Sequence, residues 1–329
     1  MTKSLELLAP AKINLFLHIT GRRPNGYHEL QSVFQLVDWC DRIRLRLLDE
    51  NQILRLGNFY GIEPKDDLVV RAAKLLKDRC AYPHGVEIDL EKNIPIGAGL
   101  GGGSSDAASV LIGLNHLWNL QLKQSELIHL GLKLGADIPF FLFGQNAFVQ
   151  GIGEYLDPID LPEQTFLIIF PGQFVSTQEV FQSRQLTRNH APITMADFLA
   201  SPWHESLFNN DLQPVACAIC PEVHRALDWL SQKLPNCAVR MSGSGSSVFA
   251  VIPPSKNPGD LEQIMRSIPS GWVSRLVRGL KRNPAYNSIK PVCRSRGVAK
   301  LVKAPDFDSG MRGFESFLPC HCYHWQITS

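Results

Sequence analysis

The sequence predicts an α+β protein of two domains, and three observations carry that prediction. Residues 5–20 alternate in polarity as a strand does, and a glycine-rich loop and several helical runs follow. From Thr165 onward the pattern reads as a second unit with a β-α-β-β-α-β-like layout. A chain of 329 residues, 44% hydrophobic and 19% charged, also supplies enough apolar surface for two cores. The first domain is drawn over 1–155 and the second over 156–277. Residues 278–329 are set apart as a basic tail, expected to be poorly ordered.

The formal net charge of +2 is unevenly spread, because residues 275–329 hold ten Lys/Arg against three Asp/Glu. The body is therefore mildly acidic and offers no basic footprint for nucleic acid. No apolar run reaches the length of a membrane span, and the N-terminus lacks the basic-then-apolar layout of a signal peptide. A cytoplasmic protein is expected, monomeric or weakly dimeric, with a small molecule as its partner and neither membrane nor nucleic acid. The eight cysteines are scattered. Cys217-Ala-Ile-Cys220 is a CxxC, yet it lies in an apolar helical stretch without a second ligand pair and reads as packing. A zinc site from Cys320, His321, Cys322 and His324 is set aside on the same grounds.

In the first strand Ile13, Leu15, Leu17 and Ile19 share one face, which reads as core. Lys12, Asn14, Phe16 and His18 share the other, which is either solvated or aimed at a site. The turn Pro24-Asn-Gly26 throws Tyr27 and His28 onto the next element. Asp66 or Asp67 caps a helix that runs to about Arg79 and buries Leu68, Val69, Ala72, Leu75 and Leu76. A strand covers Val86–Leu90, and Lys92 after it reads from position alone as a surface charge.

Next comes Ile94-Pro-Ile-Gly-Ala-Gly-Leu-Gly-Gly-Gly-Ser-Ser-Asp-Ala-Ala-Ser-Val-Leu111, in which five of the seven residues from Gly97 to Gly103 are glycine. Glycines let backbone N–H groups turn inward without a Cβ in the way. The helix that follows adds unpaired donors and a positive dipole end, which together make a phosphate cradle. No lysine follows these glycines, so the Walker pattern is absent. Gly97, Gly99 and Gly102 match the dinucleotide spacing. That motif, however, needs an adjoining strand and an acidic residue about 20 positions on, where this chain reads as another helix.

A helix over Ser125–Leu134 ends near Gly135, and Asp137 then precedes a very apolar run, placed either to cap the next turn or to serve as a base in a cleft. Thr165–Phe170 is a buried strand. Residues 176–181 read as a short helix, with Thr177 as a possible cap and Phe181 on its face. Residues 187–202 read as a loop with a short turn, and Asn210-Asp211 opens a helical pair broken at Pro221. Cys237–Val251 is strand, glycine loop, strand; a helix over Pro258–Ile268 and a strand from Trp272 complete the unit.

Four blocks together resemble the GHMP kinases, namely Ala9–Leu17, Pro95–Ala108, Gly135–Pro139 and Cys237–Val251, and the likeness extends over about 275 residues. The resemblance implies a two-domain GHMP-kinase fold with the ATP and substrate cleft between the domains. It implies ATP and Mg²⁺ as cofactors, the metal held through the ATP phosphates with its protein ligands unknown. By the same likeness, Pro95, Gly97, Gly99, Leu100, Gly101, Gly102, Gly103, Ser104, Ser105 and Lys92 bind ATP, and Asp137 and Lys12 are catalytic. Relatives commonly carry asparagine at the place of Asp67, so an adenine contact there is left open. Pro24-x-Gly-Tyr-His-x-Leu-x-Ser32 and Phe181 resemble one branch of the family, which phosphorylates the 2-hydroxyl of a cytidine diphosphate-linked methylerythritol on the non-mevalonate route to isoprenoid precursors. That branch implies Tyr27 and Phe181 stacked on cytosine, His28 hydrogen-bonded to it, and Asn14 and Thr177 against the substrate. Another small-alcohol kinase of the homoserine or mevalonate type, or a non-catalytic nucleotide-binding protein of the same fold, are the alternatives.

Overall fold

Every long strand of the first half serves one antiparallel sheet, and the strand at its centre also carries the second half. The computed structural model describes residues 4–57, 61–63, 65–201 and 208–289. The first domain contains β1 (Ser4–Arg22), β2 (His28–Leu48), β3 (Ile53–Leu56), α1 (Leu68–Cys80), β4 (Gly85–Glu91), α2 (Gly102–Leu117), α3 (Gln124–Leu132), α4 (Ile138–Phe143), β5 (Ala147–Gly151) and β6 (Tyr155–Pro158). The second contains β7 (Thr165–Phe170), α5 (Thr177–Gln182), α6 (Met195–Ala200), α7 (Gln213–Ile219), α8 (Pro221–Lys233), β8 (Val239–Met241), β9 (Val248–Ile252), α9 (Pro258–Arg266) and β10 (Val273–Leu280).

β2 pairs with β1 along one edge and divides its other edge among three strands. Leu30–Phe34 face β5, Leu36 and Val37 face the end of β10, and Arg42–Leu48 face β4. β10 continues antiparallel to β7, then come β9 and β8, so the two domains share a ten-stranded sheet. In the second domain the order β10-β7-β9-β8 is that of the β-α-β-β-α-β layout expected from the sequence.

Three apolar clusters hold the fold. One lies between α1–α4 and the first part of the sheet, where Ala72, Leu76, Val110, Leu114 and Phe141 are buried. A second fills the junction of the domains around Phe16, Trp39, Phe148, Phe166 and Phe249. The third packs α7, α8 and α9 on β7, β8 and β9. Burial of side chains this size stabilises by roughly 1.5–3 kcal/mol each before the entropy of ordering is subtracted.

Several sequence expectations change here. The second face of β1 is not solvated, because the second domain covers it: Lys12, Asn14, Phe16 and His18 are all buried. Register shifts at Pro10/Ala11, Asn14/Leu17 and Ile19/Gly21 also break the strict alternation assumed for this strand. The domain boundary drawn at 155/156 falls inside β6, which pairs with β5, so the first domain runs on to about Pro158. Residues 195–200, read as loop and turn, form α6, capped by Thr194 and its reciprocal partner Asp197.

The tail drawn from residue 278 begins too early. β10 extends to Leu280, and a 3₁₀ turn over Pro284–Ser288 returns to the first domain. There Asn283 Nδ2 donates to Phe141 O at 2.9 Å and the Tyr286 hydroxyl donates to Leu142 O. Residues 290–329, with the cysteine and histidine group near the end, lie outside the described residues. Cys217 and Cys220 are free thiols in the third cluster, as a packing role requires. Burial pushes the Cys217 thiol up to about 11. Asp67 caps α1, accepting from Val69 N at 2.9 Å, and its other oxygen lies 3.3 Å from Arg55 Nε. No helix among the described residues is long and apolar enough to cross a membrane.

Candidate active site

The glycine loop bends through three left-handed residues, Gly97, Gly99 and Gly101, with φ of 66°, 75° and 70°. L-residues with a Cβ pay roughly 1–2 kcal/mol in that region, which is why the run is glycine. The helix starts earlier than its apolar spacing suggested. Gly101 is the N-cap of α2, and Gly102 and Gly103 are already its first turn. The open N–H donors of that turn are therefore those of Gly102, Gly103 and Ser104. Ser105 is placed differently from the expectation. It is fully buried, its N–H donates to Gly101 O at 2.9 Å, and its hydroxyl has no hydrogen-bond partner among the described residues.

The loop is clasped from the second domain by the turn between β8 and β9. Ser247 N donates to Ala98 O at 3.1 Å, and Ser242 Oγ donates to Gly99 O at 3.2 Å while accepting from Asn14 N at 3.2 Å. One serine thus joins β1, the glycine loop and the second domain. Asn210 holds that turn, donating to Met241 O and Gly243 O, both at 2.8 Å. A Cβ at Gly99 would stand 2.6 Å from Ser242 O and from Gly245 O. Gly99→Ala is therefore expected to destabilise the protein by roughly 2–4 kcal/mol, from left-handed strain plus overpacking. Urea unfolding checks it, and a loss under 1 kcal/mol would show that the clasp is loose.

Lys12 lies across the loop from this turn. Its Nζ donates to Asn14 Oδ1 at 2.7 Å, sits 4.5 Å from the centre of the Phe34 ring, and is 3.7 Å from Asp137 Oδ2. Its backbone N donates to Leu100 O at 2.9 Å, which ties β1 to the loop. Asp137 occupies the N-cap position of α4, yet its side chain makes no capping hydrogen bond. The carboxylate is about one-third exposed and turns to Lys12 instead. The capping alternative left open by position alone does not describe this residue. Asn14 is buried and engaged on both ends of its amide, its Nδ2 donating to Ser32 Oγ at 3.0 Å. It braces Lys12 and does not stand open to a ligand.

Lys92 is no surface charge. It is buried under the first turn of α2, between Asp41 and Asp106, with its Nζ 2.7 Å from Asp106 Oδ2. The other oxygen of Asp41 accepts from Asn93 N and Ile94 N at 2.6 and 2.8 Å, fixing the start of the loop. Burial pushes the Asp106 carboxyl up to about 8, against the pull of Lys92 and with the help of Asp41. Burial alone would lower Lys92, but the two carboxylates outweigh it and raise its value. This group holds the loop from beneath; the sequence reading missed Asp41 and Asp106 because the three residues are far apart in the chain.

A second cluster stands at the far end of β1. His28 opens β2, and its ring centre is 5.2 Å from that of Phe181 on α5. Arg188 bridges them, donating from Nε to His28 Nε2 at 2.9 Å and from Nη2 to Phe181 O at 3.1 Å and Ser183 O at 2.6 Å. Burial, then Arg188 and Arg22, hold the His28 imidazole below its ordinary range. Tyr27 is exposed at the adjoining turn. Thr177 is the first residue of α5 and not its cap, which is Ser176; the Thr177 hydroxyl lies 2.7 Å from Ser244 Oγ on the clasping turn. Arg188 had no signal in the sequence, since nothing in its surroundings there marks it.

Open backbone donors at the start of α2 thus stand beside a buried lysine and an aspartate that does not cap its helix, an arrangement chemically suited to phosphoryl transfer in a small-molecule kinase. The comparisons with known proteins agree. The GHMP kinases N terminal domain matches residues 67–145 and the GHMP kinases C terminal domain matches 195–274. A 4-diphosphocytidyl-2-C-methyl-D-erythritol kinase of Polynucleobacter asymbioticus is 60% identical over 287 residues, 87% of this chain and 97% of that protein. Its counterpart in Burkholderia mallei is 47% identical over 87% of this chain and 97% of its own. A crystal structure of 4-(cytidine 5'-diphospho)-2C-methyl-D-erythritol kinase superposes with a TM-score of 0.71 at 34% identity, covering 84% of this chain and 99% of that one. The homoserine kinase of Cytophaga hutchinsonii, 18% identical with a TM-score of 0.63 over 87% of this chain and 97% of its own, shares the fold. The chain belongs to the GHMP kinases, in the family of the 4-diphosphocytidyl-2-C-methyl-D-erythritol kinases.

Proposed function

We propose that the protein transfers the γ-phosphoryl group of ATP to the 2-hydroxyl of 4-diphosphocytidyl-2-C-methyl-D-erythritol, giving the 2-phosphate and ADP. The observation that carries this reading is the pairing of Lys12 and Asp137 at 3.7 Å beside the glycine loop. That pairing supports a reading in which a base and a positive charge act together on an acceptor hydroxyl beside the loop.

Asp137 takes the proton of the acceptor hydroxyl, and Lys12 orients the carboxylate and offsets charge that builds up during transfer. A loose phosphoryl transition state allows that proton to leave late, so a weak base suffices. The N–H groups of Gly102, Gly103 and Ser104, with the Ser104 hydroxyl and the dipole of α2, hold the phosphates. Mg²⁺ supplies neutralisation of phosphate charge when bound. Among the described residues no group of three His, Cys, Asp or Glu side chains stands together to hold a metal. Lys92 supports the loop and does not contact ATP directly; its charge is already engaged by Asp41 and Asp106. Tyr27 and Phe181 supply flat apolar surfaces, and His28 a polar ring edge, for a pyrimidine.

ADP release with Mg-ATP tests the reading, using the cytidylyl substrate, mevalonate and homoserine in parallel. Turnover with the first alone is expected. Turnover with another alcohol would keep the ATP site and discard the pyrimidine pocket, and ATP binding without any turnover would support a non-catalytic protein.

A further inference from the structure

An arginine side chain carries only N–H donors and does not lose its proton in a protein. A ring nitrogen that accepts a hydrogen bond from it must therefore carry a lone pair. Arg188 Nε donates to His28 Nε2 at 2.9 Å, so the proton of the neutral His28 ring resides on Nδ1. The arginine has no freedom to leave. Three of its four other N–H groups donate to Leu186 O at 3.1 Å and to Phe181 O and Ser183 O at the end of α5. One guanidinium thus fixes the polarity of His28 and the position of the segment that carries Phe181, the two sides of the same pocket.

The edges of pyrimidines differ in this respect. Cytosine presents adjacent acceptors, N3 and O2, whereas uracil carries a proton on N3. A ring that can only donate toward the base suits the first and opposes the second. We propose that Arg188 is a positioning residue that locks His28 in its Nδ1–H tautomer and so sets the pocket to read cytosine over uracil. The proposal rests on the reading of His28 as a base contact given above.

The test compares kcat/KM for the cytidylyl substrate and its uridylyl analogue in the wild type, Arg188→Met, Arg188→Lys and His28→Phe proteins, with nitrogen-15 spectra of the imidazole. In the wild type the Nδ1–H form is expected. Arg188→Met is expected to raise KM for the cytidylyl substrate about tenfold, the loss of one hydrogen bond, with KM for ATP unchanged. It should also reduce the preference for cytosine over uracil, because the freed ring then samples the other tautomer. Arg188→Lys, which keeps a donor, should recover part of that preference. A wild-type ring protonated on Nε2, or an undiminished preference in Arg188→Met, overturns the proposal. If His28→Phe leaves KM for the cytidylyl substrate unchanged, the base contact itself is wrong and the proposal falls with it. If His28→Phe raises KM while Arg188→Met leaves the preference intact, only the tautomer lock fails.

Discussion

Asp137→Asn is expected to lower kcat by roughly 10²–10⁴-fold, the usual contribution of a positioned general base, while KM for ATP moves little. The amide keeps the size and most of the polarity of the carboxylate. Since the side chain makes no capping bond on α4, the substitution should not loosen the helix. Unfolding curves of the two proteins should accordingly differ by no more than about 1 kcal/mol, the range for losing a partly exposed ion pair such as that with Lys12. Steady-state rates with saturating Mg-ATP give the main result. A fall of less than tenfold would remove Asp137 from the chemistry and leave Lys12 to act through charge alone.

Lys92→Met is expected to be the most destabilising of these changes, by roughly 3–5 kcal/mol, as when one partner of a buried ion pair is removed. Methionine fills the space but leaves Asp41 without a cation under the first turn of α2. A loss under 1 kcal/mol in urea at neutral pH would show that the group is not a working ion pair.

Asp106→Asn is expected to act in the opposite direction. Its folded value, about 8, lies above that of a free aspartate, so the folded state binds the extra proton. That contribution is complete below about pH 4, the free value, and is lost progressively as the pH rises toward 8. Asparagine removes the titration. The variant should therefore gain melting temperature relative to the wild type at pH 8, with a smaller gain or none at pH 5. An equal change at both pH values would count against a protonated Asp106.

The elements with strong local patterns were legible in the sequence: the Thr165–Phe170 strand, the helix capped by Asp67, and the glycine loop, whose conformation only glycine adopts cheaply. The Lys12 and Asp137 pairing was accessible only through likeness to a family, because 125 positions separate two residues that read alone as a strand polar group and a helix cap. What could not be read was whatever depends on packing between distant segments. Lys92 looked solvated because its partners, Asp41 and Asp106, lie 51 and 14 positions away. Ser105 looked like a ligand for phosphate until the early start of α2 rotated it inward. The face of β1 holding Phe16 and His18 could be read only as solvated or aimed at a site, because the side chains that bury it come from distant segments.

The return of residues 281–289 to the first domain has a mechanical outcome. The chain crosses between the domains once after β6 and again along β10, and the second crossing is fastened to the first domain by pairing with Leu36 and Val37 and by the anchors Asn283 and Tyr286. Lys12, Asp137 and the glycine loop all belong to the first-domain side of that seam, so the groups that would meet a phosphate are carried by one body.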